Sequence, residues 1–233
     1  MNIIVTGASM GIGFDTVLEF SKNPIHNIVA LARDELKLLQ LKELCLVQNN
    51  HEIQIVVCDI STIERSEFEV VLSKFSKIDI LINNAGLLIN KPFLDLVKTE
   101  WQAIFDVNIF GVVAITKIVF PKLKLSSNAH IVNIGSMGGF PTAKKFKGLS
   151  AYSSSKAALA NLTECLAEEF AEDNISCNCL CLGAVNSGML KKAFPSYTSP
   201  TSTRSMASYI CHFALTAQQF MNGSVIPVTL RNP

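Results

Sequence analysis

Tyr152 and Lys156 stand four residues apart in the run Tyr152-Ser153-Ser154-Ser155-Lys156. On a helix, residues at that spacing share one face and lie about 6 Å apart along the axis. A free tyrosine ionises near pH ~10, too high for easy proton exchange at neutral pH. A lysine ammonium beside it favours the phenolate and lowers that value. The pair is therefore a candidate proton donor and acceptor with its own tuning charge. Ser136 follows a strand-like run and could hydrogen-bond the same reacting oxygen. Taken singly, Ser136 reads as a turn residue and Lys156 as a surface lysine.

The start of the chain supplies a second site. Asn2-Ile3-Ile4-Val5-Thr6-Gly7-Ala8-Ser9-Met10-Gly11-Ile12-Gly13 runs from apolar residues through a small-residue turn into a helical pattern. Glycines 7, 11 and 13 remove side chains where a strand hands over to a helix. The backbone can then approach a bound group, with the first helical N–H groups pointing at it. A helix N-terminus carries roughly half a positive charge, so the preferred guest is a phosphate. The spacing is G-x3-G-x-G rather than the common dinucleotide fingerprint G-x-G-x-x-G. By itself it fits a tightly packed strand–helix connection equally well.

The elements that position these residues alternate along the chain. Strand-like runs occur at residues 3–5, 27–31, 53–58, 78–82, 130–134, 175–182 and 224–228. Helical patterns lie between them, at 12–22, 35–48, 61–74, 100–125 and 153–172. This alternation predicts one domain, residues 1–233, with a parallel sheet and helices on both faces. The strands are nearly all apolar, as strands buried on both sides are. Residues 185–205, rich in Ser, Thr and Pro, read as one long irregular loop of functional importance.

Composition narrows the function classes. Hydrophobic residues make up 49% and charged ones 17%, which suits a large buried core. A net charge of +1 gives no electrostatic case for nucleic acid or an anionic membrane. No unbroken apolar run reaches the roughly 18 residues of a spanning helix, and the first strand leaves no room for a signal peptide. Cys177, Cys179 and Cys181 alternate along one strand and share a face. They read as small core residues rather than metal ligands, and no metal is expected. Seven cysteines without a C-x-x-C pair fit a reducing cytoplasm.

The second strand bears on the guest. A dinucleotide on the first helix places its adenosine ribose near that strand's end. An acid there binds the 2′-OH of NAD, and an arginine accommodates the 2′-phosphate of NADP. The residues are Leu31-Ala32-Arg33-Asp34. Arg33 can pair with a phosphate in bidentate fashion, and Asp34 is expected to cap the next helix. NADP(H) is therefore expected, with NAD(H) the alternative should Asp34 do the binding. Cys58-Asp59-Ile60 ends the third strand. Asp59 could accept from the adenine amino group, cap a helix starting near Ser61, or do both. Asn83-Asn84-Ala85-Gly86 ends the fourth strand and suits a wall that a flat cofactor passes closely.

With these residues in order, the chain resembles the short-chain dehydrogenase/reductase family nearly end to end. Residues 6–13 look like its TGxxxGxG loop, residues 83–86 like its NNAG motif, and residues 152–156 like its YxxxK. The resemblance implies a Rossmann-like, doubly wound, seven-stranded parallel sheet. It implies catalytic roles for Asn108, Ser136, Tyr152 and Lys156, with Asn108 in a water relay and Lys156 on the nicotinamide ribose. It also implies cofactor contacts from Gly7, Ser9, Met10, Gly11, Ile12 and Gly13, from Ile60, and from Asn84, Ala85 and Gly86. Beyond the sixth strand it adds Gly183, Val185 and Ser187. The long helices around Asn108 and Tyr152 would pair with a second copy, giving a homodimer or homotetramer.

The chain departs from the pattern in four places. Met10 stands where NADP-binding members often carry a basic residue, so Arg33 alone carries that assignment. Leu182-Gly183 has lost the usual proline, and Ser187 replaces a threonine. The end, Val228-Thr229-Leu230-Arg231-Asn232-Pro233, lacks the usual Asp-Gly-Gly. The stretch from Ser136 to Tyr152 is long and contains Lys144-Lys145-Phe146-Lys147, which should border the site's mouth. That loop is either a solvated basic loop or an attractor of acidic substrates. The expected activity is NADP(H)-dependent interconversion of a small-molecule carbonyl and a secondary alcohol. Its rivals are a non-catalytic NADP(H)-binding sensor and an extended-type nucleotide-sugar enzyme, for which too little chain follows the sixth strand.

Overall fold

The structure is a computed structural model that describes residues 1–230. Seven strands form one parallel sheet in the order β3-β2-β1-β4-β5-β6-β7. They are β1 Asn2–Thr6, β2 Asn27–Ala32, β3 Gln54–Val57, β4 Ile80–Asn83, β5 Ala129–Ser136, β6 Ile175–Leu182 and β7 Val225–Val228. The order reverses between β1 and β4, which opens a crevice beyond the strands' carboxyl ends. The glycine loop, the 83–86 turn and Ser136 all emerge at that edge. The last residues of the tail, Arg231 to Pro233, lie outside the described residues.

Helices cover both faces. Helices α1 (Gly11–Phe20) and α2 (Glu35–Asn49) pack on one face with α8 (Thr203–Thr216), around Val17, Leu38, Leu41 and Ile210. Helices α3 (Arg65–Leu72) and α5 (Gly111–Leu123) cover the other, around Phe68, Ile115, Val119 and Leu123. Asp34 caps α2 by accepting from the Lys37 N–H at 3.2 Å, as its position predicts. Asn50 ends that helix in the left-handed region, at φ 48°.

Three expectations need correction. The helical pattern at 100–125 is α4 (Lys98–Phe105), a π turn (Asp106–Phe110) and α5 in succession. This combined span, Lys98–Leu123, is long and apolar enough by length and composition to cross a membrane. Asp106, Asn108 and Lys117 interrupt the apolar residues, so no unbroken run shows although the average is high. Its buried residues Ile115, Val119 and Leu123 pack into the core against the sheet. The loop read at residues 185–205 contains α7 (Gly188–Ala193) and the start of α8, joined by a bridge between Asn186 and Ser202. Helix α8 has no counterpart in the sequence reading. The third helix begins at Arg65, not near Ser61.

Helix α8 is tied to the sheet by a buried histidine. Asn178 Nδ2 donates to His130 Nε2 at 2.9 Å, which leaves the proton on Nδ1 to donate to the Ala214 carbonyl at 3.0 Å. His130 is therefore held neutral, and burial lowers its pKa from 6.5 to about 4, partly opposed by the Ala214 bond. Below pH ~6.5 the unfolded chain takes a proton that the native chain refuses. Stability should thus be lost as pH falls from 6.5 toward about 4, by on the order of 3 kcal/mol for a shift of this size. His26, also lowered chiefly by burial, adds in the same direction. Urea unfolding across that range checks this, and a flat profile would contradict it.

Candidate active site

The glycine loop is built by three glycines for different reasons. Gly7 adopts φ +68°, and a Cβ there would lie 2.7 Å from the Ala85 Cα. Gly13 has no room either, since a Cβ would meet Asn84 Nδ2 at 2.3 Å and the Gly7 carbonyl at 2.5 Å. Gly11 needs its glycine for φ +62° but has open space beside it, the nearest atom being Ser187 Cβ at 3.8 Å. Met10 precedes α1 in extended conformation, and no side chain caps the helix. The backbone N–H groups of α1's first turn are thus left for a guest, beside Ser9 and Ile12.

The neighbouring turn is clamped to this loop. Thr6 Oγ1 accepts from the Asn84 and Ala85 N–H groups, both at 3.0 Å. Asn84 Nδ2 returns bonds to the Thr6 and Gly7 carbonyls at 3.0 and 3.2 Å. The Asn84 side chain is therefore spent on holding the loop. A role toward a cofactor falls to its backbone, and to Ala85 and Gly86.

At the far end of the crevice, Arg33 is exposed and lies 3.4 Å from Asp59. Asp59 Oδ1 accepts from the Ser61 N–H at 2.9 Å and hydroxyl at 2.7 Å. The carboxylate thus closes a turn and does not cap α3, which starts only at Arg65. Burial raises the Asp59 pKa, but the Ser61 bonds and the Arg33 charge outweigh it and hold the carboxyl low. The Ile60 side chain is buried against Gly111, where a Cβ would lie 2.9 Å from the Ile60 carbonyl.

The four residues expected to do chemistry come together between β5 and α6 (Ser150–Glu169). Tyr152 and Lys156 share the buried face of α6, and Lys156 Nζ lies 6.0 Å from the Tyr152 ring centroid. Lys156 Nζ donates to the Ile134 carbonyl at 2.8 Å. The Ser136 hydroxyl accepts from the Gly138 N–H at 3.1 Å and stands near enough to Tyr152 to favour the charged form of its phenol. Asn108 sits in the π turn. It accepts from the Leu87 N–H at 2.8 Å, and donates to the Leu87 carbonyl at 3.0 Å and to Ser155 Oγ at 2.9 Å. Ser155 Oγ in turn donates to the Tyr152 carbonyl at 2.7 Å. Thr6 and Ser155 thus hold the site together, and the sequence reading gave neither a role. Ser155 lies three residues past Tyr152, on the same helix face, and that spacing was the available signal.

One electrostatic expectation is reversed. Helix spacing suggested a Tyr152 pKa lowered by Lys156. Burial instead raises it, opposed by the Ser136 bond, and a Coulomb effect of Cys181 raises it further. Burial also lowers Lys156 to about 8, against support from Cys179 and Cys181. Burial thus favours the neutral form of both side chains.

The family model described as short chain dehydrogenase matches residues 1–198. The chain belongs to the short-chain dehydrogenase family. It is 33% identical over 188 residues to the oxidoreductase UcpA of Salmonella typhimurium, covering 80% of this chain and 70% of that protein. It is 28% identical over 198 residues to dehydrogenase/reductase SDR family member 6 of Rattus norvegicus, covering 85% and 76%. Among solved structures, it resembles a short chain dehydrogenase of Escherichia coli complexed with NADPH. The TM-score is 0.88 at 22% identity, with 97% and 95% of the two chains covered. L-sorbose reductase of Gluconobacter frateurii, complexed with NADPH and L-sorbose, matches with TM-score 0.86 at 22% identity, covering 97% and 94%.

Three further features belong to this short-chain dehydrogenase. Ser187, standing in for a threonine, accepts from the Leu190 N–H at 3.3 Å and caps α7. Its hydroxyl is thus partly engaged, beside buried Val185 and next to the open side of Gly11. Gly183 packs against Thr229, where a Cβ would lie 2.9 Å from Oγ1. The basic loop lines a cleft of about 890 Å³ through Lys145, Phe146 and Lys147, together with Gly138 and Ser153. Those last two neighbour Ser136 and Tyr152, but neither hydroxyl residue lines the cleft itself.

Proposed function

We propose that this family member is an NADP(H)-dependent oxidoreductase that interconverts a small-molecule carbonyl and a secondary alcohol, with Tyr152 as general acid and base. The observation that carries this reading is the grouping of half-buried Ser136 with buried Tyr152 and Lys156 at the same sheet edge as the glycine loop. The loop suits a dinucleotide, because Gly7 and Gly13 let it pack tightly on the 84–85 turn, and Gly11 leaves open space beside the uncapped first turn of α1. NADPH in the Escherichia coli and Gluconobacter frateurii structures supports the choice of cofactor.

When bound, the nicotinamide supplies or accepts the hydride. The remaining work falls to the chain. The Ser136 and Tyr152 hydroxyls hold the substrate oxygen, and Tyr152 gives it a proton as the carbonyl is reduced. Lys156 supplies positive charge beside the phenol and a donor toward the nicotinamide ribose. Asn108 braces Leu87 and Ser155 around them and serves the proton relay to solvent. Oxidation of NADPH in the presence of ketones, aldehydes, quinones and acyl thioesters tests the reading. Tight NADPH binding without turnover of any of them would favour the sensor role.

Arg33 carries the choice between cofactors, because Asp34 is engaged as a helix cap. Arg33→Ala should weaken NADPH binding by about ten- to a hundredfold, the worth of one charge-assisted bidentate contact. NADH binding should stay nearly unchanged. Fluorescence titration of both cofactors measures this, and equal losses would remove Arg33 from the 2′-phosphate.

A homodimer is part of the same proposal. Ala157 is exposed on α6, Phe110 on the π turn, and Phe93 and Leu94 just before α4. Light scattering at micromolar concentration should give at least twice the monomer mass, and a monomer would contradict it. Seven free thiols, most of them buried, are in keeping with a reducing cytoplasm.

A further inference from the structure

The basic loop forms one wall of the cleft beside the reacting residues, and it is held in place. Gly148 turns it at φ +82°, where a side chain would meet Asn90, and the Gly148 carbonyl accepts from the Lys91 N–H at 3.0 Å. The Phe146 ring stands edge-on to Phe194 at the end of α7, with centroids 6.2 Å apart. Asn90 Nδ2 donates to the Ala193 carbonyl at 2.7 Å, which ties the opposite wall to the same helix end. Lys145 Nζ donates to the Phe140 carbonyl. Gly139 and Pro141, on either side of Phe140, line the cleft, so this ammonium is fixed at its wall. It keeps two N–H donors for another partner.

The cleft offers a guest apolar surface and positive charge. Pro92, Pro141 and Leu149 give it carbon walls, and Lys145 and Lys147 stand among them. No carboxylate lines it, and neither lysine enters an ion pair among the described residues. Two uncharged features favour the same guest. Helix α6 begins on the cleft at Ser150, and no side chain caps it, so the N–H groups of its first turn favour an anion. The Ser150 hydroxyl oxygen is buried without a hydrogen-bond partner, where such a group ordinarily has one. The cleft also reaches the chemistry. Gly138 and Ser153 line it, and a Cβ at Gly138 would lie 3.5 Å from Ser136 Oγ. A volume of about 890 Å³ suits a whole small molecule, so one guest can span both regions. Phe93 and Ala157 on the outer wall also belong to the face offered to a second copy, so a dimer would close the cleft from that side.

We propose that this cleft sets the substrate class: a carbonyl compound, or its alcohol, with an apolar body and an anionic group, carboxylate or phosphate, bound by Lys145, Lys147 and the start of α6. The apolar body lies along the carbon walls while the carbonyl meets Ser136 and Tyr152. Both lysines are exposed, so water and salt screen them, and their effect falls on KM rather than on the chemical step. The carbonyl end of this inference rests on the oxidoreductase reading, and the anion end stands without it.

Two measurements test it. The first is reduction by NADPH of straight-chain methyl-ketone acids of rising length, each beside its methyl ester. The acid should exceed its ester in kcat/KM by about three- to tenfold at low salt, mainly through KM, and added salt should narrow the gap. Lys145→Gln combined with Lys147→Gln should erase that preference. Lys144→Gln removes the same charge from a residue that does not line the cleft, and should keep it. Equal loss in both variants would reduce the effect to general attraction and overturn the site. Esters reduced as well as acids by the parent protein would overturn it too, while leaving the oxidoreductase reading intact. The second measurement is calorimetric titration of the NADPH-bound protein with octanoate, octyl phosphate and octanol, none of which NADPH reduces. At least one anion should bind more tightly than octanol, and the tighter of the two identifies the anionic group. Octanol binding as tightly as both anions would overturn the proposal without any turnover assay. Anion binding lost in the double variant, in a protein that reduces no carbonyl, would count against the oxidoreductase reading and leave the anion site standing.

Discussion

Replacing Tyr152 by phenylalanine should lower turnover by about 10²–10⁴-fold, the usual contribution of a positioned general acid. The change removes one oxygen and keeps the ring, which is nearly buried against the sheet. Packing and fold should therefore survive. Burial keeps the Tyr152 pKa above that of a free tyrosine, against the opposing effect of nearby Ser136. The native side chain is thus protonated at neutral pH and ready to donate as the carbonyl is reduced. In Tyr152→Phe water must take that place, in a site shaped for a phenol. Affinity for NADPH should stay near the parental value, because the anchors proposed for it are the glycine loop and Arg33. Turnover on a proven substrate, set beside a fluorescence titration of NADPH, separates the two effects. Near-parental turnover would mean that Tyr152 is not the proton donor.

Lys156→Ala should damage turnover and cofactor binding together. Its ammonium is buried, donates to the Ile134 carbonyl at 2.8 Å and stands over the Tyr152 ring. Truncation leaves that carbonyl short of a donor and removes the charge that assists the phenol. Turnover should fall by about a hundredfold or more, and NADPH affinity by about tenfold, the lower end for a hydrogen bond from a charged group. The native enzyme should show the same dependence in its pH profile. Burial has lowered the Lys156 pKa to about 8, so its charge is lost as pH rises through that value. Turnover should decline on that alkaline limb, and Lys156→Ala should lack the decline. If the variant keeps the limb, another group is responsible for it.

The strand pattern was the most legible part of the chain. Strand β6 runs over Ile175–Leu182, as the apolar run predicts, because a strand buried on both sides writes its length directly into composition. The reading at β3 was looser, since only residues Gln54–Val57 pair there. Helix α8 escaped because it follows a stretch of Ser, Thr and Pro, and its apolar residues fit a core made by α1. The π turn escaped because one extra residue per turn leaves no compositional trace. It is nonetheless what carries Asn108 to Leu87 and Ser155.

The sequence by itself marked the residues whose types and spacing suit chemistry, on one helix face and at one strand-to-helix loop. Local spacing encodes both: four residues on a helix bring Tyr152 and Lys156 to one face, and three glycines open one loop. Through-space relations were decided only by the tertiary structure. It turned the Asn84 amide inward to hold the glycine loop, spent Asp59 on the Ser61 turn, and raised the Tyr152 pKa where the spacing had suggested a fall. These outcomes depend on burial and on partners far away in the chain, and neither is visible in the local order of residues.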